Sequence, residues 1–224
     1  MSQAHLGLLL VDYYEGFLKD RDLEVFRERV LGRYTEATLG RILTSSPHPT
    51  ARRAAVLALG MLGTYEVANA PLGRALRDDD PVVRTMAESA LWAVWFRADT
   101  PENNRTLDQV KRLINQQRFD TAVELATRLI GQAPRFAEAY NQRAIAYFLQ
   151  GRYAESAADC ERVLQLNPYH FGAWSGLAQC QACLQQPRQA LHTLRRALKL
   201  QPHSQGLRQS IELLESQIES EGPR

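Results

Sequence analysis

Cys180 and Cys183 stand three residues apart, the spacing in this chain that most suggests chemistry. On a helix such a pair shares a face, so it could supply half of a tetrahedral metal site. No second pair completes it. Cys160 sits where other copies of an internal repeat hold Ala126 and Leu194, which reads as core. His170 and His192 are the remaining candidate ligands, with no supporting spacing. A redox C-x-x-C needs a strand–turn–helix setting, and no strand is predicted anywhere. The expectation is therefore three small core or semi-core thiols, with no metal and no cofactor. The spaced glycines of LALGMLG and GAWSGLAQ lack the preceding strand that a phosphate cradle requires. No nucleophile elbow appears, and no carboxylate pair has a setting for acid–base work. No catalytic residue is assigned, and the expectation is a protein that is not an enzyme.

The elements that would position any site are repeats. FAEAYNQRAIAYFLQGRYAESAADCERVLQLNPYH runs directly into FGAWSGLAQCQACLQQPRQALHTLRRALKLQPHS. A slide of 34 residues puts Tyr140 on Trp174, Ala144 on Ala178, Ser156 on Ala190, Leu166 on Leu200 and Pro168 on Pro202. A weaker copy precedes them, carrying Ala122, Leu129 and Pro134. The units are 103–136, 137–170 and 171–204. Each reads as two helices around a loop at Gln117, Gly151 or Gln185. Small residues between the helices allow close approach, and a proline just beyond the second helix ends it. This period, with its early aromatic, central small residue and late proline, resembles the tetratricopeptide repeat.

A second pattern lies upstream. HPTARRAAVLALGMLG aligns with DPVVRTMAESALWAVW at an offset of 32, so Pro49 falls on Pro81 and Arg52 on Arg84. TLGRIL and PLGRAL match at an offset of 33. These pieces resemble short HEAT-like repeats of the kind also found in phycobilisome lyases. Pro49 and Pro81 fit the first turn of a helix, and Asp78, Asp79 and Asp80 fit its positive end. Arg52 and Arg84 are expected to pair with these acids or with nearby carbonyls. Asp22 is read as the N-cap of a helix Leu23–Arg33, with Leu23, Phe26, Val30 and Leu31 on one face. Thr35 or Glu36 opens the next helix. The apolar segment around Leu6, Leu8, Leu9, Val11, Tyr13, Tyr14 and Phe17 either caps the array or docks on another chain. Trp92 and Trp95 either seal the last HEAT-like helix or anchor a partner.

Pro101, with Thr100 before it, marks a fresh helix start and a junction. The domains are then 1–99, HEAT-like repeats with an N-terminal capping segment, and 100–224, tetratricopeptide units plus a capping helix over 205–220. That final helix carries Leu207, Ile211, Leu214 and Ile218 on one face and ends in a frayed tail, 220–224. The expected fold class is all-α, a right-handed α-solenoid.

The net charge is only +2 over 224 residues. Met1–Thr100 holds 12 basic and 13 acidic residues, and Pro101–Arg224 holds 15 and 12. This argues against a nucleic-acid or membrane surface. Arg195, Arg196 and Lys199 read as a solvated face. No export signal or spanning segment is apparent, and a cytoplasmic location is expected.

Function is therefore sought on a surface. The tetratricopeptide resemblance implies a concave groove lined by the first helix of each unit. It places there Asp108 and Lys111, then Glu138, Asn141, Gln142, Ile145 and Phe148, then Ser175, Gly176 and Gln179. Asn141 and Gln142 can donate to and accept from a peptide backbone. Gly172 and Gly176 would admit a ligand backbone, and Ile145 and Phe148 an apolar side chain. An ordinary solvated inner face is the other reading. Domains of this family that clamp a terminal carboxylate use cations and asparagine at positions that here hold Leu107, Lys111, Gln142, Gly172 and Gly176. Only Lys111 fits, so acidic chaperone-type tails are disfavoured. The expected role is an adaptor or scaffold for a protein or extended peptide. The lyase resemblance implies an alternative, a maturation factor for a chromophore-bearing protein, and a structural subunit of a larger assembly is a third.

Overall fold

A computed structural model describes residues 3–221, with side chains from Leu8 to Ser220. The expectations for Leu6 and for 222–224 lie outside these residues. The described residues form thirteen α-helices and no strand, and no helix among them is long and apolar enough to cross a membrane. The chain divides into two compact units, Met1–Ala98 and Asp99–Arg224.

The first unit holds α1 (Gln3–Asp20), α2 (Leu23–Leu31), α3 (Glu36–Ser45), α4 (Pro49–Leu62), α5 (Tyr65–Ala75) and α6 (Pro81–Trp95). α1 packs on α2 and α4 and buries Leu10 and Tyr14. Asp22 caps α2 through the Glu24 and Val25 amides at 3.1 and 3.0 Å. Phe26 and Val30 are buried, but Leu23 and Leu31 stand exposed and the helix stops at Leu31. The expected four-residue face is thus two residues. The first and last residues of this nine-residue helix are left uncovered.

Thr35 caps α3. The adjoining Glu36 reaches into the next repeat, where its Oε2 accepts from the Thr64 amide and hydroxyl, both at 2.8 Å. α5 therefore starts on a cap supplied by another helix. Pro49 and Pro81 open α4 and α6. The Arg52 fork grips Asp78 at 2.7 and 2.8 Å, and its third nitrogen donates to the carbonyls of Ser46 and Pro47. Arg84 donates to the carbonyls of Asp78 and Asp79. Asp80 caps α6 through the Val83 amide and accepts two bonds from Arg53, which holds its carboxyl down to about 2. α4 and α6 meet closely at Gly60, where a Cβ would lie 2.9 Å from that of Ala90. Trp95 is buried and donates to Asn69 at 2.8 Å. The half-buried Trp92 meets it edge-on and stacks on Phe96.

The second unit holds α7 (Pro101–Asn115), α8 (Phe119–Gln132), α9 (Ala137–Leu149), α10 (Tyr153–Leu166), α11 (Phe171–Cys183), α12 (Pro187–Leu200) and α13 (Gln205–Glu221). Thr100 caps α7, with Pro101 at its first position. Ala122, Ala144, Ser156, Ala178 and Ala190 are all buried at the crossings. Ser156 spends its hydroxyl proton on the Ala144 carbonyl at 2.8 Å. Along α13, Leu207, Ile211 and Leu214 close over Ala190, Leu194 and Ala197 of α12.

The turn inside every pair is made the same way. Gln117, Gly151 and Gln185 have φ of 59°, 75° and 60°. Only the middle unit uses glycine, and a left-handed non-glycine residue costs about 1 kcal/mol. Gln117→Gly and Gln185→Gly should therefore each raise the stability of this unit by about 0.5–1 kcal/mol. Urea unfolding followed by circular dichroism would check this, and a loss of stability in either variant would contradict it.

Candidate peptide-binding groove

The first helices of the three tetratricopeptide units are α7, α9 and α11, and α9 packs against both of the others. Asp108 and Gln179 are exposed, and Lys111, Ser175 and Gly176 are partly so. On α9, Ile145 is 38% and Leu149 52% exposed, an apolar pair one turn apart. Beside them Phe148 is held edge-on to Tyr153, with ring centres 5.3 Å apart.

The polar residues read as groove amides are placed differently. Glu138, Asn141 and Gln142 are all buried, with Glu138 only 1% exposed. Glu138 Oε1 accepts from Asn141 Nδ2 and Gln142 Nε2, both at 2.8 Å. Its Oε2 faces His170 Nε2 at 2.9 Å, and His170 is itself fully buried. His170 is also the N-cap of α11, where its Nδ1 accepts from the Ala173 amide at 3.0 Å. An Nδ1 that accepts carries no proton, so the imidazole proton sits on Nε2 and points at Glu138. The carboxylate thus has three donors, and it lies in the first turn of α9, where the helix dipole favours an anion. The amide protons that could have met a ligand are turned onto Glu138. The His–Glu contact, missed in the sequence, spans 32 residues and ties the first turn of α9 to the N-cap of α11. Its one sequence signal is position: a histidine just before a first helix.

Gly176 also has a packing reason. A Cβ there would lie 3.2 Å from Cys160 Sγ, so this glycine makes room for α10. Cys160 and Cys180 are buried and hydrogen-bond each other, and Cys180 donates to Ser156 at 3.2 Å. That bond and burial push the Cys160 thiol well above its ordinary range. Cys183 is exposed, so the expectation of three core or semi-core thiols fails there: the C-x-x-C has one member inside and one outside. His192 is exposed on α12. Among the described residues, no three His, Cys, Asp or Glu side chains converge as metal ligands.

Comparison with known proteins agrees with this architecture. Tetratricopeptide repeat profiles match residues 107–171 and 147–211, and a HEAT repeat profile matches 26–92. A tetratricopeptide repeat-containing protein of Rhizobium etli is 25% identical over 63% of this chain and 70% of its own length. Hsp70-Hsp90 organizing protein 1 of Glycine max is 30% identical over 47% of this chain, a stretch covering only 18% of that protein. Among solved structures, the first tetratricopeptide domain of Spaghetti (RPAP3), bound to the HSP90 peptide SRMEEVD, aligns with a TM-score of 0.51 at 21% identity. The alignment covers 54% of this chain and 95% of that one. The TPR2B domain of yeast Sti1, in complex with pHsp70, aligns with a TM-score of 0.50 at 22% identity, over 53% and 99%. Both likenesses lie in the fold. With profile, period and helix pairing in agreement, residues 107–211 carry tetratricopeptide repeats and residues 26–92, ahead of them, carry HEAT repeats.

Proposed function

We propose that this protein is a non-enzymatic adaptor that holds a protein or extended peptide against α7, α9 and α11. The observation that carries the reading is the exposed pair Ile145 and Leu149 beside Phe148, on a helix whose polar residues are bonded inward. The buried Glu138 network is then the support of the groove rather than its contact surface. Asp108, Lys111, Ser175 and Gln179 supply polar contacts at its edges. Helical-repeat surfaces of this type serve extended ligands. The neighbour solved with an HSP90 peptide supports a peptide ligand. An acidic tail fits poorly, since Leu107 is buried, Gln142 is bonded to Glu138 and the glycines at 172 and 176 bring no charge. A ligand with apolar side chains fits Ile145 and Leu149. The three free cysteines suit a reducing, cytoplasmic setting.

Ile145→Ser/Leu149→Ser tests the reading without touching the core. Each covered side chain contributes about 1 kcal/mol, so a groove ligand should weaken by about ten- to a hundredfold. Partners captured by wild type would be identified, and their segments titrated calorimetrically against both proteins. Equal affinities, with unchanged helicity, would move the site elsewhere.

A further inference from the structure

We propose that the outward face of α12 is a second docking surface, and that it takes an acidic segment of a partner protein. α12 contains no Asp or Glu. Arg188, His192, Arg195 and Lys199 follow at steps of four, three and four, and all are exposed. They form one stripe about 16 Å long. The opposite side, Ala190, Thr193, Leu194, Ala197 and Leu200, is buried.

The fold does not require this charge. The same positions hold Asp120, Glu124, Thr127 and Gly131 in α8, and Ala154, Ala158, Glu161 and Gln165 in α10. Three of the buried positions stay small or apolar in all three helices: Ala122, Ser156, Ala190; Ala126, Cys160, Leu194; Leu129, Val163, Ala197. Arg196 is set apart from the stripe, because Arg128 and Arg162 recur at its position and it lies over the Trp174 ring at 5.1 Å. That residue has a packing role. The stripe has none that its sister helices share.

Arg195 meets Glu215 of α13 at 2.7 Å, but both side chains are well exposed, at 59% and 38%. Such a pair is weak and exchangeable. No large apolar side chain of α12 is exposed, so nothing there would enter a bilayer. No Phe, Tyr or Trp lies on the stripe, and the whole chain carries a net charge of only +2, which disfavours a nucleic acid. What remains complementary is a run of carboxylates on one face of a protein segment. This surface is independent of the α9 groove.

The test uses the full chain and a labelled helical peptide of about 16 residues, with glutamates at steps of four, three and four. Anisotropy would be read at about 50 and 300 mM salt. Arg188→Gln/Arg195→Gln/Lys199→Gln should weaken binding by about tenfold or more, and high salt should do the same to wild type. Ile145→Ser/Leu149→Ser should bind this peptide as wild type does. Reversal of the three cations to glutamate should transfer binding to a lysine version of the peptide. The proposal is overturned if wild type and the triple glutamine variant bind alike, or if wild type prefers the lysine peptide. It is equally overturned if an oligothymidylate or a phosphatidylserine vesicle outcompetes the glutamate peptide on these residues.

Discussion

Glu138→Ala is expected to cost the second unit about 3 kcal/mol or more, a fall in melting temperature of about 10 °C. The alanine leaves the buried His170 Nε2 proton and the Asn141 and Gln142 amides without the acceptor they share. Each stranded donor carries a desolvation cost of about 1 kcal/mol or more, and no water reaches a site that is 0–1% exposed. His170 variants separate its two roles. His170→Asn keeps a cap acceptor for the Ala173 amide and loses only the bond to Glu138, so it should cost less than His170→Ala. Thermal and urea unfolding of the full chain would read all three. A loss under 1 kcal/mol in Glu138→Ala would mean that the network is not structural, and the groove amides would again be candidates for ligand contact.

The other large effect is expected at Asp159. Arg143 grips it at 2.7 and 2.8 Å, donates to Thr127 at 3.0 Å, and lies within 5.8 Å of the Tyr140 and Tyr147 ring centres. The pair is largely covered, at 17% and 9% exposure. Asp159→Ala leaves that guanidinium covered and uncompensated, for a loss of about 3 kcal/mol. Arg143→Met/Asp159→Leu removes both charges and keeps most of the volume, and should recover well over half of the loss. A double-mutant cycle by urea denaturation gives the coupling, expected at about 2 kcal/mol. Additive single losses would show that the two residues act separately.

Local signals in this chain were legible because each needs only a few residues. Asp22, Thr35, Asp80 and Thr100 cap the helices they precede, and Pro49, Pro81 and Pro101 open theirs. The 34-residue period likewise located the pairs α7–α8, α9–α10 and α11–α12 and the turns at Gln117, Gly151 and Gln185. What could not be read was which way a polar face turns. Glu138, Asn141 and Gln142 share one side of α9 by spacing alone, and spacing does not say whether that side meets solvent or the next unit. The answer depended on His170, the N-cap residue just ahead of the following helical pair. Leu23 and Leu31 failed for a related reason: periodicity marks a face, but it does not say which members of that face a neighbouring helix covers. Cys183 was misplaced because it is the last residue of α11, beyond the stretch that buries Cys180.

Glu138 and His170 are the second and last residues of the block 137–170, and Arg143 and Asp159 lie between them. The block therefore contains both halves of each of these buried polar contacts. If it were duplicated in tandem, the histidine ending the inserted copy would cap the helix that follows and meet that copy's own glutamate. Arg143 of the second copy would find Glu161 where it now finds Thr127. Growth of the array by gene duplication at this boundary thus strands neither charge nor donor. It makes 137–170 the natural monomer for longer arrays assembled from this chain.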